Sequence, residues 1–220
     1  RGERALEEGR LGEAAREIRS GMSKPTRERY ARLTKRLAEA FAENGSTDEA
    51  IAAYKTLLSS GIRDADVYNS VAILQQETGK LDDAIVTMRE SVYLYADVAE
   101  LHNNLGTLYA LKGEYDRALS EYGKAIKIKP DLAEAYLDIG IIYKDYLKNR
   151  GKAIGAFRKY VALKPDGKKV PEVAELLGGG TGTAGKVSGK EAKAADIIVS
   201  DEYTPRHRRI LRGSGSRKER

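Results

Sequence analysis

One pattern recurs along this chain every 34 residues, and that period constrains its fold more than any single residue does. Residues 31–64, 65–98, 99–132 and 133–167 carry small or apolar side chains in the same slots, the last stretch with one extra residue in its turn. Each stretch holds two apolar stripes at helical spacing, separated by a polar break, so each reads as two antiparallel helices. A single pair of this size cannot bury all of its apolar surface. Repetition at this period therefore predicts a solenoid in which each pair packs on its neighbours.

The third copy is the clearest. Leu105, Gly106 and Tyr109 fall on its first helix, Gly113 in its turn, Ala118, Tyr122 and Ala125 on its second helix, and Pro130 at its end. The same slots hold Leu37, Ala38, Phe41, Gly45, Ala50, Tyr54 and Leu57 in the first copy, and Val71, Ala72, Gln75, Gly79, Ala84, Met88 and Ser91 in the second. The fourth has Ile139, Gly140, Tyr143, Ala153, Phe157 and Pro165. Small residues such as Gly106, Gly140, Ala118 and Ala153 suit the points where two helices approach to about 8–10 Å, and the aromatic residues fill the seams. Gly45, Gly79 and Gly113 fall where each first helix must end in a left-handed residue. On this register Glu121 is expected on an outer face.

In these slots the chain resembles the tetratricopeptide repeat, although the aromatic near the start of the first helix is replaced by Thr34, Tyr68, His102 and Tyr136, never Trp. The resemblance implies an all-α, right-handed superhelical solenoid of helix hairpins. Residues 1–21 are read as a partial N-terminal repeat, 22–30 as a turn and the start of the next helix, and 168–177 as a short capping helix. Residues 178–195 are read as a Gly-rich linker and 196–220 as a tail. With no initiator Met, the chain is read as processed or as a fragment. A cytoplasmic setting is expected, or a periplasmic one if a signal segment was removed.

Composition narrows the chemistry. The chain has no Cys, and its two His residues, His102 and His207, are far apart, so no cofactor or metal site is expected. No apolar run is long enough to span a membrane. The net charge of +6 resides in residues 206–220, because residues 1–205 hold 32 basic and 32 acidic residues. GTGTAGK at 180–186 has phosphate-loop spacing, but it follows a helical pattern, leads into polar sequence, and has Val187 where the Mg²⁺-binding hydroxyl belongs. Asn44-Gly45-Ser46 fits a glycosylation sequon but is already explained as a turn. The carboxylate pairs at helical spacing are ordinary solvated faces. No nucleophile with its base can be assembled, and a non-enzyme is expected.

Function is then expected on the surface lined by the first helices. The resemblance implies groove positions at Arg32 and Lys35 in the first copy, and at Asn69 and Ile73 in the second. In the third they are Asn103, Asn104, Thr107 and Leu111, and in the fourth Leu137, Ile141 and Lys144. Such a surface suits an extended peptide, with the amides bonding its backbone and the apolar residues meeting its side chains. The Lys, Asn and Arg clamp by which one subclass of the family grips chaperone carboxyl termini is not reproduced. Only Lys35 matches, while Glu39, Ser70, Glu100 and Asn104 occupy the other slots. The expected role is a protein-interaction adaptor or assembly scaffold. Apolar stack ends and the segment Ile197–Tyr203 suggest self-association or docking of the tail in the groove. The alternative is binding of nucleic acid or another acidic surface through Arg206, Arg208, Arg209 and Arg212.

Overall fold

The computed structural model describes residues 1–20 and 27–177, and among these every regular element is helical. The segment 21–26, the linker and the tail, including the 180–186 motif and the arginines from Arg206 to Arg212, lie outside the described residues. The described residues divide into two compact units, one up to Met88 and one from Arg89 on.

The N-terminal unit contains α1 (Gly2–Glu7), α2 (Leu11–Ser20), α3 (Arg27–Glu43), α4 (Thr47–Ser59), α5 (Ala65–Glu77) and most of α6 (Leu81–Leu94). One turn joins the two helices of each hairpin. Gly9, Gly45 and Gly79 have φ of 72°, 78° and 76°, and the residue after each bonds back five positions: Arg10 N–H to Ala5 O, Ser46 N–H to Phe41 O, and Lys80 N–H to Gln75 O. The glycine N–H bonds back three positions each time, so backbone groups cap the carbonyls left free at the helix end, joined at the end of α5 by the Thr78 hydroxyl on Leu74 O and Gln75 O. Asp64 opens α5 by accepting from Asp66 N–H at 2.9 Å.

Apolar burial in this unit follows neighbour pairs. Ala5, Leu6, Ala14 and Ile18 of the first hairpin bury Leu37 of α3 with them. Ala38, Ala50, Ile51, Tyr54 and Leu57 of the second form one cluster with Val67, Val71 and Leu74 of α5. Each hairpin thus completes its core with the first helix of the next, as expected of units that do not fold alone. Burial raises the pKa of the Tyr54 phenol to about 12, with the negative charge of Glu39 adding to the effect, so it stays neutral.

The C-terminal unit contains the end of α6, α7 (Ala99–Leu111), α8 (Tyr115–Ile128), α9 (Ala133–Ile141), a π-helical turn (Ile142–Tyr146), α10 (Arg150–Leu163) and α11 (Val170–Leu176). Gly113, at φ 81°, repeats the turn between α7 and α8, with Glu114 N–H bonding Tyr109 O at 2.9 Å. The last hairpin differs, and the difference is where its extra residue goes. Leu147 N–H bonds Ile142 O, Lys148 takes the left-handed position at φ 52°, and Asn149 N–H reaches back six residues to Tyr143 O at 2.7 Å. The insertion widens the helix end into a π turn. Tyr146 on that turn stacks against Tyr115 of α8 at 4.3 Å.

Two side chains differ from the sequence expectation. Glu121 is buried, its carboxylate 2.7 Å from Nδ1 of buried His102 and 2.7 Å from Lys124 Nζ. The other ring nitrogen of His102 meets Ala96 O at 3.2 Å. Each side chain satisfies the other, which is how two polar residues enter a helix interface. Leu137 is also buried, in a cluster with Ala133, Ala153, Phe157, Tyr160 and Val173, because α11 packs over the last hairpin. It holds the fold together and is not an open groove residue.

The closest helix contacts exclude even a methyl group. A Cβ at Gly106 would lie 2.8 Å from the Tyr122 ring, and one at Gly140 would run into the Phe157 ring. Gly123, exposed in the middle of α8, has open space around it. Gly106→Ala and Gly140→Ala are each expected to lower stability by about 1–3 kcal/mol. Gly123→Ala is expected to raise it by about 0.5–1 kcal/mol. Urea unfolding of the three variants checks this, and shifts of one sign for all three would contradict the helix contacts.

Candidate functional site

The first helices of the hairpins carry the candidate residues in both units. On α3 and α5, Arg32 is exposed, Asn69 is buried and Ile73 is half-buried. Lys35 is tied within its own unit, with Nζ 3.0 Å from Asp64 and 4.0 Å from Asp66. A cation committed to two carboxylates of its own chain is a poor grip for a ligand carboxylate, whatever its modest contribution to stability.

On α7 and α9 the acids at the second helical position are tied in the same way. Glu100 bonds Lys129 Nζ at 2.8 Å and Glu134 bonds Lys164 Nζ at 2.9 Å, each lysine preceding the proline that ends its repeat. Burial pushes the Glu100 carboxyl up, but the Lys129 ammonium and a backbone bond pull it further down, so it is held below the usual carboxylate range. With both acids engaged, the face between them is governed by uncharged groups. Leu111 and Ile141 are half-buried on it, and Lys144 lies 3.3 Å from Asp145.

Asn103, Thr107, Tyr122 and Asp138 form the buried polar part of this unit. The Thr107 hydroxyl lies 3.1 Å from the Tyr122 hydroxyl and 3.2 Å from Asn103 O, and both hydroxyls hydrogen-bond Asp138, which is 3% exposed. One atom stands outside this closed arrangement. The Asn103 side-chain oxygen is buried and has no hydrogen-bond partner among the described residues. Asn104, its half-buried neighbour, is engaged within the protein. The structure therefore brings Asn103 and Thr107 into one cluster, and it places Leu137 and Ile141 together at the α11 end.

Asp138 was not among the sequence-selected residues. A signal was there: it is a lone acid inside the apolar run AYLDIGIIY, and a carboxylate on the buried side of a helix needs partners. Burial pushes its carboxyl well above the usual value of 3.8, against the hydrogen bond from Tyr122, and Glu134 raises it further. The Tyr122 phenol is raised in turn by burial and by Asp138.

A carboxyl whose folded pKa lies above its unfolded value binds its proton more tightly in the native state. Its stabilising effect is complete below the unfolded value near 3.8 and is lost as pH rises through the folded value. Asp138→Asn, which cannot ionise, is expected to flatten the fall in stability as pH rises above about 4. Urea midpoints measured across that range decide it, and equal slopes for the two proteins would contradict the buried carboxyl.

Among the described residues, no cluster of His, Cys, Asp and Glu could hold a metal ion, and no helix is long and apolar enough to cross a membrane. A family model described as "TPR repeat" matches residues 106–145, and one described as "Tetratricopeptide repeat" matches residues 1–66. No curated protein sequence matches the chain. Among solved structures, MamA aligns with a TM-score of 0.61 at 23% identity over 77% of this chain and 96% of its own. YrrB, described as a TPR protein with an unusual peptide-binding site, aligns with a TM-score of 0.62 at 18% identity over 79% of this chain and 88% of its own. A tetratricopeptide repeat protein from Parabacteroides merdae aligns at 0.64 and 18% identity, over 80% and 71%. At these identities the likeness is one of fold, and it is the same helix-hairpin solenoid. Two repeat models match separate stretches and the same glycine turn ends the first helix of four hairpins, so residues 1–66 and 106–145 are tetratricopeptide-repeat sequence.

Proposed function

We propose that this protein is a non-catalytic interaction scaffold that holds an extended peptide segment on the face of α7 and α9. The observation that carries the reading is the unpartnered side-chain oxygen of Asn103. A buried amide oxygen without a donor costs about 1–3 kcal/mol, and a main-chain N–H of a bound segment would recover that cost. Half-buried Leu111 and Ile141 on the same helices offer apolar contact to the side chains of such a segment. Glu100 and Glu134, neutralised by their lysines, favour a ligand recognised by shape and backbone over one recognised by charge. YrrB, which shares the fold, is described by its peptide-binding site, and that adds support by analogy alone.

Asn103→Leu tests this proposal. It removes an oxygen that has no partner to lose, so urea unfolding should show a stability that is unchanged or raised by up to about 1–3 kcal/mol, and not lowered. Affinity for peptides selected by display on the intact protein should fall about tenfold or more, equivalent to about 1.4 kcal/mol. Ile141→Glu should weaken the same peptides without loss of helical content. Unchanged affinity in both variants would overturn the reading.

A further inference from the structure

A concavity lies at the start of α10. It is a cavity of about 470 Å³ with an apolar floor of Ala153, Ile154 and Phe157, closed on one side by Leu176 of α11. Three cations, Lys144, Lys148 and Arg150, stand on its rim against one acid, Glu175. Lys144 has Asp145 beside it, but Lys148 and Arg150 are exposed and make no ion pair among the described residues. The widened turn is what brings them there. Lys148 occupies the left-handed position that glycine fills in the other hairpins, a conformation that costs an L-residue about 1 kcal/mol or more. α10 is also the one described helix whose first turn has no acid, so nothing on it opposes the positive charge.

An apolar floor under a cationic rim fits a segment with adjacent aliphatic side chains and flanking carboxylates. The chain supplies one beyond its described residues. Asp196-Ile197-Ile198-Val199-Ser200-Asp201-Glu202-Tyr203 combines three successive aliphatic residues with three acids and no base. The other apolar pair after residue 178, Ile210-Leu211, is flanked by arginines, which this rim would repel. Leu176 lines the cavity itself, and nineteen residues lie between it and Asp196. A random coil of that length would have an r.m.s. span of about 25 Å, enough to return to its own starting point. We infer that residues 196–203 of the same chain dock in this cavity, the aliphatic side chains on Ile154, Phe157 and Leu176 and the acids facing Lys148 and Arg150. An intramolecular ligand acts at about millimolar effective concentration, so weak contacts suffice. The inference is independent of the α7–α9 reading.

The absence of native cysteine makes the test direct. In the full chain, Ser200→Cys carries a nitroxide, and amide broadening is read in ¹⁵N-labelled protein. Ala153, Ile154 and Leu176 are expected to broaden severalfold. The effect should vanish in Lys148→Glu/Arg150→Glu and return when Asp201→Lys/Glu202→Lys is added. A mixture of ¹⁵N protein without spin label and spin-labelled protein without ¹⁵N should show none. Four results would each overturn the inference: no broadening at these amides, broadening that survives charge reversal, broadening in the mixed sample, which assigns the segment to a second copy, or broadening at Asn103 and Ile141, which moves it to the α7–α9 face.

Discussion

The turn that ends each first helix is the constraint on which the rest of this structure depends. A left-handed residue lets the following N–H bond back to the last carbonyls of the helix, and the second helix then starts two residues after the left-handed one. Because Gly9, Gly45, Gly79 and Gly113 all adopt this conformation, the helices of each hairpin meet in the same register. The small residues then fall at the contacts and the aromatic residues in the seams. The last hairpin tests that logic with one extra residue. The register survives because the π turn absorbs it, and the cost appears as a strained Lys148 and a gap beside α10.

Most of this was legible in the sequence because the turns and contacts repeat. A glycine at a fixed interval, followed by a polar residue and a new apolar stripe, carries its own explanation, and Ala50, Ala84, Ala118 and Ala153 are all buried. What escaped was non-repeating. Leu137 sits in a slot that the resemblance implies is open, and it is buried in a cluster that includes Val173, thirty-six positions away on a helix outside the repeat pattern. Glu121 reads as a surface residue until His102 is placed opposite it. The π turn follows from the length of the insertion, but no residue type announces it. Asp138 could have been found by asking what partners a lone acid in an apolar run would need.

The same distinction separates structural from functional polar groups. His102 and Glu121 close on each other, Thr107, Tyr122 and Asp138 close on each other, and Glu100 and Glu134 are each held by a lysine. A satisfied buried network gives rigidity and a unique packing, and it offers nothing to a ligand. Asn103 belongs to the edge of such a network with its oxygen left over. The proposed peptide contact is drawn from that remainder, because a hydrogen-bonding group paired within the protein cannot also discriminate a partner without breaking what it already makes.

A crystal structure of the intact chain with a peptide selected on it tests the central claim most directly. The account predicts a main-chain N–H of the peptide within hydrogen-bonding distance of the Asn103 side-chain oxygen, with peptide side chains against Leu111 and Ile141. A peptide seated instead on the exposed Val86 and Tyr93 of α6, with the Asn103 oxygen still unpaired, would contradict it.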